Sequence, residues 1–304
     1  MTDPLSVAVE PVPDEYVVAA VHQAGARVVG LDQARALVWL GGPDGFPVLP
    51  DTVEWVALKT AGIEEFVDAG VLDDKRIWTN ASGFYAENVA EHALALLLTG
   101  LRQIHTAVRD QWDKEPIDAA VRTLRGATVA IVGAGGIGAA LTPRLTACGA
   151  QVLAVNRSGR PVDGADVTLP SSRMDEVWKS TDHVVLAAPS TPETHHLINA
   201  TSLAALPAHC WIVNVARGAL IDQQALFWAL HGHKIAGAAL DVTDPEPPAA
   251  DDPLWSLSNC IITPHIANPA SGLTREFAPW VAQNIRRFVA GEDLISTVST
   301  DRDY

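Results

Sequence analysis

The stretch 127–156 restricts the fold of this chain more than any other. The apolar run 127–132 has the length and β-branching of a buried strand and leads directly into Gly-Ala-Gly-Gly-Ile-Gly at 133–138. A helical pattern, Gly149 and a second apolar run, 151–155, follow. This is the G-x-G-x-x-G motif in its strand, turn, helix and strand context, which is typical of dinucleotide-binding domains.

The glycines of this motif have separate roles. Gly133 permits a tight turn, Gly135 lets the backbone approach a pyrophosphate, and Gly138 lets the helix pack closely against the strand. Together with Gly136 and Ile137 they begin a helix whose first N–H groups have no partner within the helix. Such a helix N-terminus binds phosphate groups.

The end of the second strand indicates which dinucleotide is selected. Enzymes that select NAD place an acidic residue there, roughly 20 residues past the glycine motif, to bind the ribose 2′-hydroxyl. Here Asn156, Arg157 and Ser158 occupy the position, with Arg160 as a second charge. Because a guanidinium pairs with a 2′-phosphate, the sequence predicts NADP(H) as the preferred cofactor and NAD(H) as the alternative. In the other interpretation, Arg157 stacks on the adenine or faces solvent and both cofactors are used.

Composition bounds the class of protein. With 304 residues, of which 48% are hydrophobic, the chain is predicted to form two globular domains rather than one. Its formal net charge of −15 argues against partners such as nucleic acid or an anionic membrane. An anionic substrate therefore needs an individual arginine in a pocket. The N-terminus has no targeting pattern and no apolar run has membrane-spanning length, so a cytoplasmic location is expected.

Cysteines and histidines give no metal-binding pattern. The cysteines are widely spaced in apolar surroundings and are expected to be small core residues: Cys148, Cys210 and Cys260. Two histidine pairs lack a third ligand at suitable spacing: His195 with His196, and His231 with His233. We therefore predict no metal site and expect these histidines to be solvated.

Strand-like and helix-like segments alternate along the chain, which is typical of a parallel sheet covered by helices. The predicted strands before the glycine motif are 6–10, 36–40, 53–58 and 76–79, with a helix at 16–24. The predicted strands after it are 184–188, 211–215, 236–240 and 260–263. One long helix at 88–108 is expected to bridge two domains, and another is expected at 274–290.

These elements predict an α/β fold with two doubly wound parallel-sheet domains. A Rossmann cofactor domain, 93–277, is expected to be inserted in a flavodoxin-like substrate domain made of 1–92 and 278–304. The last helix carries an apolar stripe suited to packing on the N-terminal part: Phe277, Val281, Ile285 and Phe288.

Arg217, Asp241 and His265 each lie just past the carboxyl end of a predicted strand, where open α/β sheets bind ligands. Glu246 follows in a Pro-rich loop. Any one of them alone is most simply an ordinary strand-end residue, but all of them at one edge favour a site. The set supports hydride transfer to a 2-keto acid: Arg217 would hold the carboxylate, and His265 would protonate the carbonyl oxygen. Glu246 would fix the tautomer of the histidine, and Asp241 would orient the nicotinamide.

The chain resembles the D-isomer-specific 2-hydroxyacid dehydrogenase family over essentially its whole length. The stretches that carry the resemblance are the glycine motif, 88–91, 188–194, 214–218, 240–242 with 246–247, and 263–265. The resemblance implies that Arg217, Glu246 and His265 are the catalytic set. It also implies a two-domain architecture with the active site in the cleft, usually as a homodimer. Trp112, beyond the bridging helix, is a candidate contact for the dimer partner or the cleft wall.

The resemblance implies further contacts. Those to the cofactor are Ala188, Pro189, Val215 and Asp241. The backbone of Ala61, Gly62 and Ile63 is expected to bind the substrate carboxylate.

Some positions depart from the family pattern. Lys59, Thr60 and Asn268 stand where other residues are more common, which bears on the substrate rather than on the reaction type. Formate dehydrogenases of the superfamily carry glutamine at the place of Glu246, so the chain does not resemble them. The phosphoglycerate branch often has an additional C-terminal regulatory domain, whereas this sequence stops at Tyr304. Small acids such as glyoxylate and hydroxypyruvate are thus the expected substrates.

Two alternatives stay open at this point. One is an enzyme that resembles phosphoglycerate dehydrogenase. The other, from a different class, is a catalytically weak corepressor that senses the dinucleotide. The intact set of Arg217, Glu246 and His265 favours catalysis.

Overall fold

Two all-parallel β-sheets organise the chain. The computed structural model describes residues 3–269 and 272–298. The chain divides into two units, Met1–Tyr85 with Pro269–Tyr304 (unit 1) and Ala86–Asn268 (unit 2). The predicted domain bounds after residues 92 and 277 fall within two continuous helices.

Unit 1 is built on a five-stranded sheet of order β2-β1-β3-β4-β5, the flavodoxin-like order that was predicted. Its first elements are β1 (Ser6–Glu10), α1 (Glu15–Gln23), β2 (Arg27–Val28), β3 (Ala36–Trp39), β4 (Trp55–Leu58), α2 (Glu64–Asp68) and β5 (Ile77–Thr79). Every residue of β3 and β4 is buried, because a parallel sheet is covered on both faces. The predicted strands are confirmed, whereas the short edge strand β2 was missed.

Unit 2 is built on a seven-stranded sheet of order β12-β11-β10-β9-β6-β7-β8, which is a Rossmann order with an added strand. Its elements are α3 (Ala86–Leu101), α4 (Ile104–Asp110), α5 (Lys114–Ala120), β6 (Thr128–Val132), α6 (Gly136–Ala147), β7 (Gln151–Asn156), β8 (Val167–Pro170), α7 (Met174–Ser180), β9 (His183–Leu186), α8 (Ala200–Ala205), β10 (Trp211–Asn214), α9 (Gln223–His231), β11 (Gly237–Leu240) and β12 (Cys260–Ile262). The predicted α/β fold class is confirmed.

The predicted single helix over 88–108 is wrong. The helix ends at Leu101, and α4 begins only at Ile104. Gln103 has a left-handed backbone with φ of 54°, and its N–H and its side-chain amide both bind the carbonyl of Gly100. A residue in this conformation satisfies the last helical carbonyls and ends the helix.

A last helix, α10 (Leu273–Ala290), completes unit 1. Phe277, Val281 and Ile285 are buried, and Phe288 stacks on Trp55 with ring centroids 5.5 Å apart. Small alanines on α1 and α10 meet in one cluster, so the two helices approach closely. The predicted apolar stripe is confirmed.

In the core of unit 2, the indole of Trp211 packs directly against two glycines. A Cβ on Gly100 or on Gly237 would lie 2.4 Å from the indole of Trp211. The expectation of three core cysteines is wrong for Cys148, which is exposed because it caps the C-terminus of α6, whereas Cys210 is buried. Within residues 3–269 and 272–298, no helix is long and apolar enough to cross a membrane.

Candidate active site

The glycine loop between β6 and α6 presents backbone with no side chain over it. Apart from its chain neighbours and the backbone of its own helix, no atom of the described residues lies within 4 Å of a Cβ built on Gly135. Gly135 is also the N-cap of α6 and has no side chain to accept from the first N–H groups. Gly136 and Ile137 form the first turn. Open space beside uncapped N–H groups fits a pyrophosphate, so the loop has the chemistry that a dinucleotide needs.

Gly133 is required by the protein itself. It has φ of 94°, and a Cβ there would lie 2.3 Å from the nitrogen of Ala188. The N–H groups of Gly133 and Ala134 donate to the carbonyl of Val155, which ties the loop to the end of β7. Gly138 lies against Ile131, where a Cβ would be 3.2 Å from Cγ2. The motif thus combines two glycines used for packing with one that leaves open space.

The residues after β7 form a compact turn. Asn156 donates from Nδ2 to the carbonyl of Arg160 (2.7 Å) and accepts from its N–H (3.1 Å). The hydroxyl of Ser158 donates to the same Asn156 side chain (3.4 Å). Arg157 is exposed, and its guanidinium forms no hydrogen bond or ion pair with any residue that the structure describes. Ser158 and Arg160 are exposed as well, so the turn presents two arginines to solvent.

Other predicted cofactor residues lie at neighbouring strand ends. Ala188 and Pro189 follow β9, and Val215 follows β10 and donates its N–H to Leu186 (3.2 Å). Because β9 lies between β6 and β10, these positions and the glycine loop share the carboxyl edge of the sheet.

Arg217 is held at the same edge by the residue that ends β10. The side chain of Asn214 accepts from the N–H of Ala216 (3.0 Å) and donates to the carbonyl of Arg217 (2.8 Å). A Cβ on the following Gly218 would lie 2.0 Å from the carbonyl carbon of Thr243. The backbone after β11 therefore passes directly against the arginine turn.

His265 and Glu246 are brought together. Nδ1 of His265 lies 2.6 Å from Oε1 of Glu246, with the two side chains 51% and 41% exposed. His265 has φ of 50°, in the left-handed region. No hydrogen bond occupies its Nε2 within the described part of the chain, so that nitrogen is available to a substrate.

Asp241 is buried and held by several hydrogen bonds within the protein. Its carboxylate accepts from the hydroxyl of Thr263 (2.5 Å) and from the N–H groups of Ile266 (3.0 Å) and Ala267 (2.9 Å). His92 of α3 lies 3.2 Å from the same carboxylate. Sequence reasoning missed His92, since no local motif links α3 to the loop after β12.

The predicted carboxylate-binding backbone lies in unit 1, between β4 and α2. Ala61 accepts through its carbonyl from the side chain of Asn80 (2.6 Å), and Ile63 is buried as the N-cap of α2. Gly62 lies between them. Oγ1 of Thr60 is buried and has no hydrogen-bond partner among the described residues. This loop is therefore fixed by its carbonyls.

Most of unit 2 matches a known protein family. Residues 92–267 match the family model described as D-isomer specific 2-hydroxyacid dehydrogenase, NAD binding domain. An uncharacterized protein in a proB 3′ region of Corynebacterium melassecola is 39% identical over 282 residues, covering 91% of this chain and 92% of the relative.

Solved structures extend the likeness to the whole chain. A D-isomer specific 2-hydroxyacid dehydrogenase from Xanthobacter autotrophicus Py2, in complex with NADPH and MES, matches with a TM-score of 0.84 and 29% identity, covering 99% of this chain and all of that one. An NADPH-dependent glyoxylate/hydroxypyruvate reductase from Sinorhizobium meliloti, in complex with NADP and sulfate, matches with a TM-score of 0.81 and 26% identity, covering 99% of each chain.

Proposed function

This chain belongs to the D-isomer-specific 2-hydroxyacid dehydrogenase family, whose members are NAD(P)-dependent oxidoreductases, and we propose that it reduces a small 2-keto acid such as glyoxylate or hydroxypyruvate. The observation that carries the proposal is the 2.6 Å contact between Nδ1 of His265 and Oε1 of Glu246. This pair lies at the sheet edge that also carries the glycine loop.

His265 is the proposed proton donor. When bound, the reduced nicotinamide supplies the hydride that the carbonyl carbon accepts. Because Glu246 occupies Nδ1, the proton leaves from Nε2 of His265 to the carbonyl oxygen, which completes the 2-hydroxy acid. The adjacent carboxylate fixes the orientation of the ring.

Arg217 is the proposed anchor for the substrate. A guanidinium binds a carboxylate with two parallel hydrogen bonds and stays charged at any working pH. This local cation offsets the net charge of −15, which otherwise disfavours an anionic ligand. The backbone of Ala61, Gly62 and Ile63 stays the predicted second anchor, and orientation of the nicotinamide by Asp241 also stays a prediction.

NADPH is the proposed cofactor. The turn after β7 has no carboxylate at residues 156–158, and Arg157 is exposed and forms no hydrogen bond or ion pair within the described part of the chain. The carboxylate of Glu193 is close enough to interact with Arg157 electrostatically, but it is itself exposed. The double substitution Asn156→Asp with Arg157→Ala should move the preference in kcat/KM towards NADH, with Arg173→Ala as a matched surface control. A wild-type protein that already has the higher kcat/KM with NADH would contradict this proposal.

Initial rates with a panel of 2-keto acids test the activity. Glyoxylate, hydroxypyruvate and 3-phosphohydroxypyruvate are each measured with NADPH and with NADH. We expect turnover of the two small acids. The highest kcat/KM on the phosphorylated acid would instead favour an activity like that of phosphoglycerate dehydrogenase. Tight dinucleotide binding without turnover of any acid would favour a sensor.

A homodimer is the proposed assembly, and α4 and α5 supply its surface. None of the residues 102–123 is buried. Ile104 and Val108 lie one turn apart on α4, and Trp112 follows the C-cap of that helix; their side chains are 48%, 79% and 91% exposed. Large apolar side chains exposed so close together in the chain are typical of interfaces. Trp112→Glu should lower the mass measured by light scattering to that of one chain, whereas Trp255→Glu should not. The cytoplasmic location stays a prediction.

A further inference from the structure

We propose that Asn88 and His92, on one face of α3, hold the loop 263–268 and thereby position the imidazole of His265. The inference rests on the proposed function, since it concerns how the same proton donor is held. We name the following set the α3 latch: Asn88, His92, Asp241 and Asn268.

Asp241 fastens the loop on both sides of His265. Its Oδ1 accepts from the hydroxyl of Thr263 (2.5 Å) and the N–H of Ile266 (3.0 Å), and its Oδ2 accepts from the N–H of Ala267 (2.9 Å). The N–H of His265 itself donates to the backbone carbonyl of Asp241 (2.9 Å). A buried carboxylate that accepts several hydrogen bonds is a rigid anchor, so the loop has little freedom while these bonds persist.

His92 completes the surroundings of that carboxylate. Its Nε2 lies 3.2 Å from Oγ1 of Thr263 and 3.2 Å from Oδ1 of Asp241. The threonine hydrogen is already directed at Asp241, and a carboxylate has only lone pairs to offer. Nε2 of His92 must therefore carry a hydrogen and donate it. The side chain of Asp241 is only 1% exposed, so its carboxylate depends on protein donors in place of water. Without His92 it would lose one of them.

Asn88 holds the far end of the loop from the same face of the helix. Residues four apart on a helix lie above one another, so Asn88 and His92 point in the same direction. Nδ2 of Asn88 donates to Oδ1 of Asn268 (3.2 Å). Asn268, which departs from the family pattern, thereby gains a role as a partner for α3.

The left-handed backbone of His265 explains why such support matters. A non-glycine residue with φ of 50° persists only where its surroundings hold it. Loss of the latch lets that backbone relax and moves Nε2 away from the carbonyl oxygen. A displacement of about 1 Å lowers turnover on the order of 10²-fold. His92 is thus a positioning residue that acts through Asp241 and Thr263.

Substitutions of His92 test the latch. His92→Leu removes the donor at similar size, whereas His92→Gln places a side-chain N–H near the position of Nε2. We expect His92→Leu to lower kcat at least tenfold, since lost positioning is costly, with KM for the 2-keto acid and Kd for NADPH unchanged. His92→Gln should recover most of kcat. His105→Leu, which removes a half-buried histidine in α4, should leave kcat unchanged.

Hydrogen exchange of the peptide covering 263–268, measured without substrate, provides a readout that does not need turnover. His92→Leu and Asn268→Ala should both speed exchange there relative to wild type, and Asn268→Ala covers the case in which His92→Leu fails to fold. Wild-type exchange and wild-type kcat in these variants would overturn the latch. A different outcome is that the wild-type protein reduces no 2-keto acid while the variants still exchange faster. That outcome would overturn the proposed function but would leave the hold of α3 on the loop in place.

Discussion

The two edges of the seven-stranded sheet carry histidines in opposite settings. At the amino edge, His183 begins β9, is 3% exposed, and accepts at Nδ1 from the N–H of Trp211 (3.2 Å). At the carboxyl edge, His265 follows β12, has a side chain that is 51% exposed, and contacts Glu246 through Nδ1. The first ring satisfies a buried backbone group, and the second leaves a ring nitrogen available.

The difference teaches how to separate structural from chemical histidines within one sheet. A buried ring that accepts from the backbone contributes to stability, because loss of its acceptor leaves an orphaned N–H. An exposed ring that is oriented by a carboxylate contributes little to stability, but it can exchange a proton. Variants at the amino edge should therefore change the free energy of unfolding, and variants at the carboxyl edge should change turnover.

The largest effect is expected for His265→Ala. Loss of the proton donor should lower kcat on the order of 10²- to 10⁴-fold. Because the side chain is half exposed, Kd for NADPH and the free energy of unfolding should stay at wild-type values. Steady-state rates, fluorescence titration and urea unfolding measure these quantities. A variant that retains wild-type kcat would remove His265 from the mechanism and erase the contrast between the edges.

The next effect is the pH dependence of stability at the amino edge. Burial lowers the pKa of His183 from its ordinary value of 6.5 to about 4. As pH falls, the unfolded chain therefore binds this proton before the folded chain does. The contribution of His183 to the free energy of unfolding is complete above pH 6.5 and is lost as pH falls towards about 4. The loss amounts to about 3 kcal/mol across that window.

His183→Asn keeps an acceptor near the position of Nδ1 but cannot titrate. Urea unfolding of wild type and variant between about pH 7 and about pH 4 should show the extra loss only in the wild type. The exposed His231, substituted by asparagine, is the matched control and should follow the wild-type curve. If the free energies of unfolding of wild type and His183→Asn changed with pH in parallel, His183 would take up its proton equally in the folded and the unfolded chain.

The features that sequence predicted are those that neighbouring residues determine. The strand β1 was predicted with its observed bounds, because five consecutive residues carry the signal. The tight turn at Gly133 and the close packing at Gly138 were predicted because turn, helix start and strand lie within one short motif. Approach of a pyrophosphate to Gly135 stays a prediction. The parallel α/β architecture also followed, since alternating strands and helices leave few alternatives.

What sequence did not predict depends on residues far apart in the chain. The end of α3 at Leu101 is determined by the left-handed backbone of Gln103, a residue type that does not by itself predict this conformation. The contact of His92 with Asp241 joins α3 to the end of β11, and no spacing rule connects them. The pair of His265 and Glu246 came partly from family resemblance, whereas its distance of 2.6 Å came from the fold.

A smaller effect is expected for Arg217→Lys. The substitution keeps the charge and removes the bidentate fork, so the 2-keto acid should bind in a less defined orientation. We expect KM to rise and kcat to fall, with kcat/KM lower by about 10- to 100-fold, since a hydrogen bond to a charged group contributes about 1.5–3 kcal/mol. Arg173→Lys, at a surface ion pair with Glu176, should have wild-type kinetics. Unchanged kinetics in Arg217→Lys would remove this arginine from the site.

The smallest and most specific effect is expected for Glu246→Gln. The carboxylate holds Nδ1 of His265 and leaves Nε2 to the substrate. A hydrogen bond to a charged acceptor is about twice as strong as one to a neutral amide, so glutamine should hold the orientation of the ring less firmly. We expect kcat to fall by less than in His265→Ala, with KM for the 2-keto acid and Kd for NADPH unchanged, as measured by steady-state rates and fluorescence titration.

The matched control for this last effect is Asp251→Asn, an exposed carboxylate in the loop that follows Glu246. It removes the same charge from the same loop, so a long-range effect of charge would lower kcat equally in both variants. A decrease confined to Glu246→Gln would show that the 2.6 Å contact is responsible. Wild-type kcat in Glu246→Gln would contradict the partnership while leaving the histidine in place, and the contrast between the edges would then rest on exposure alone.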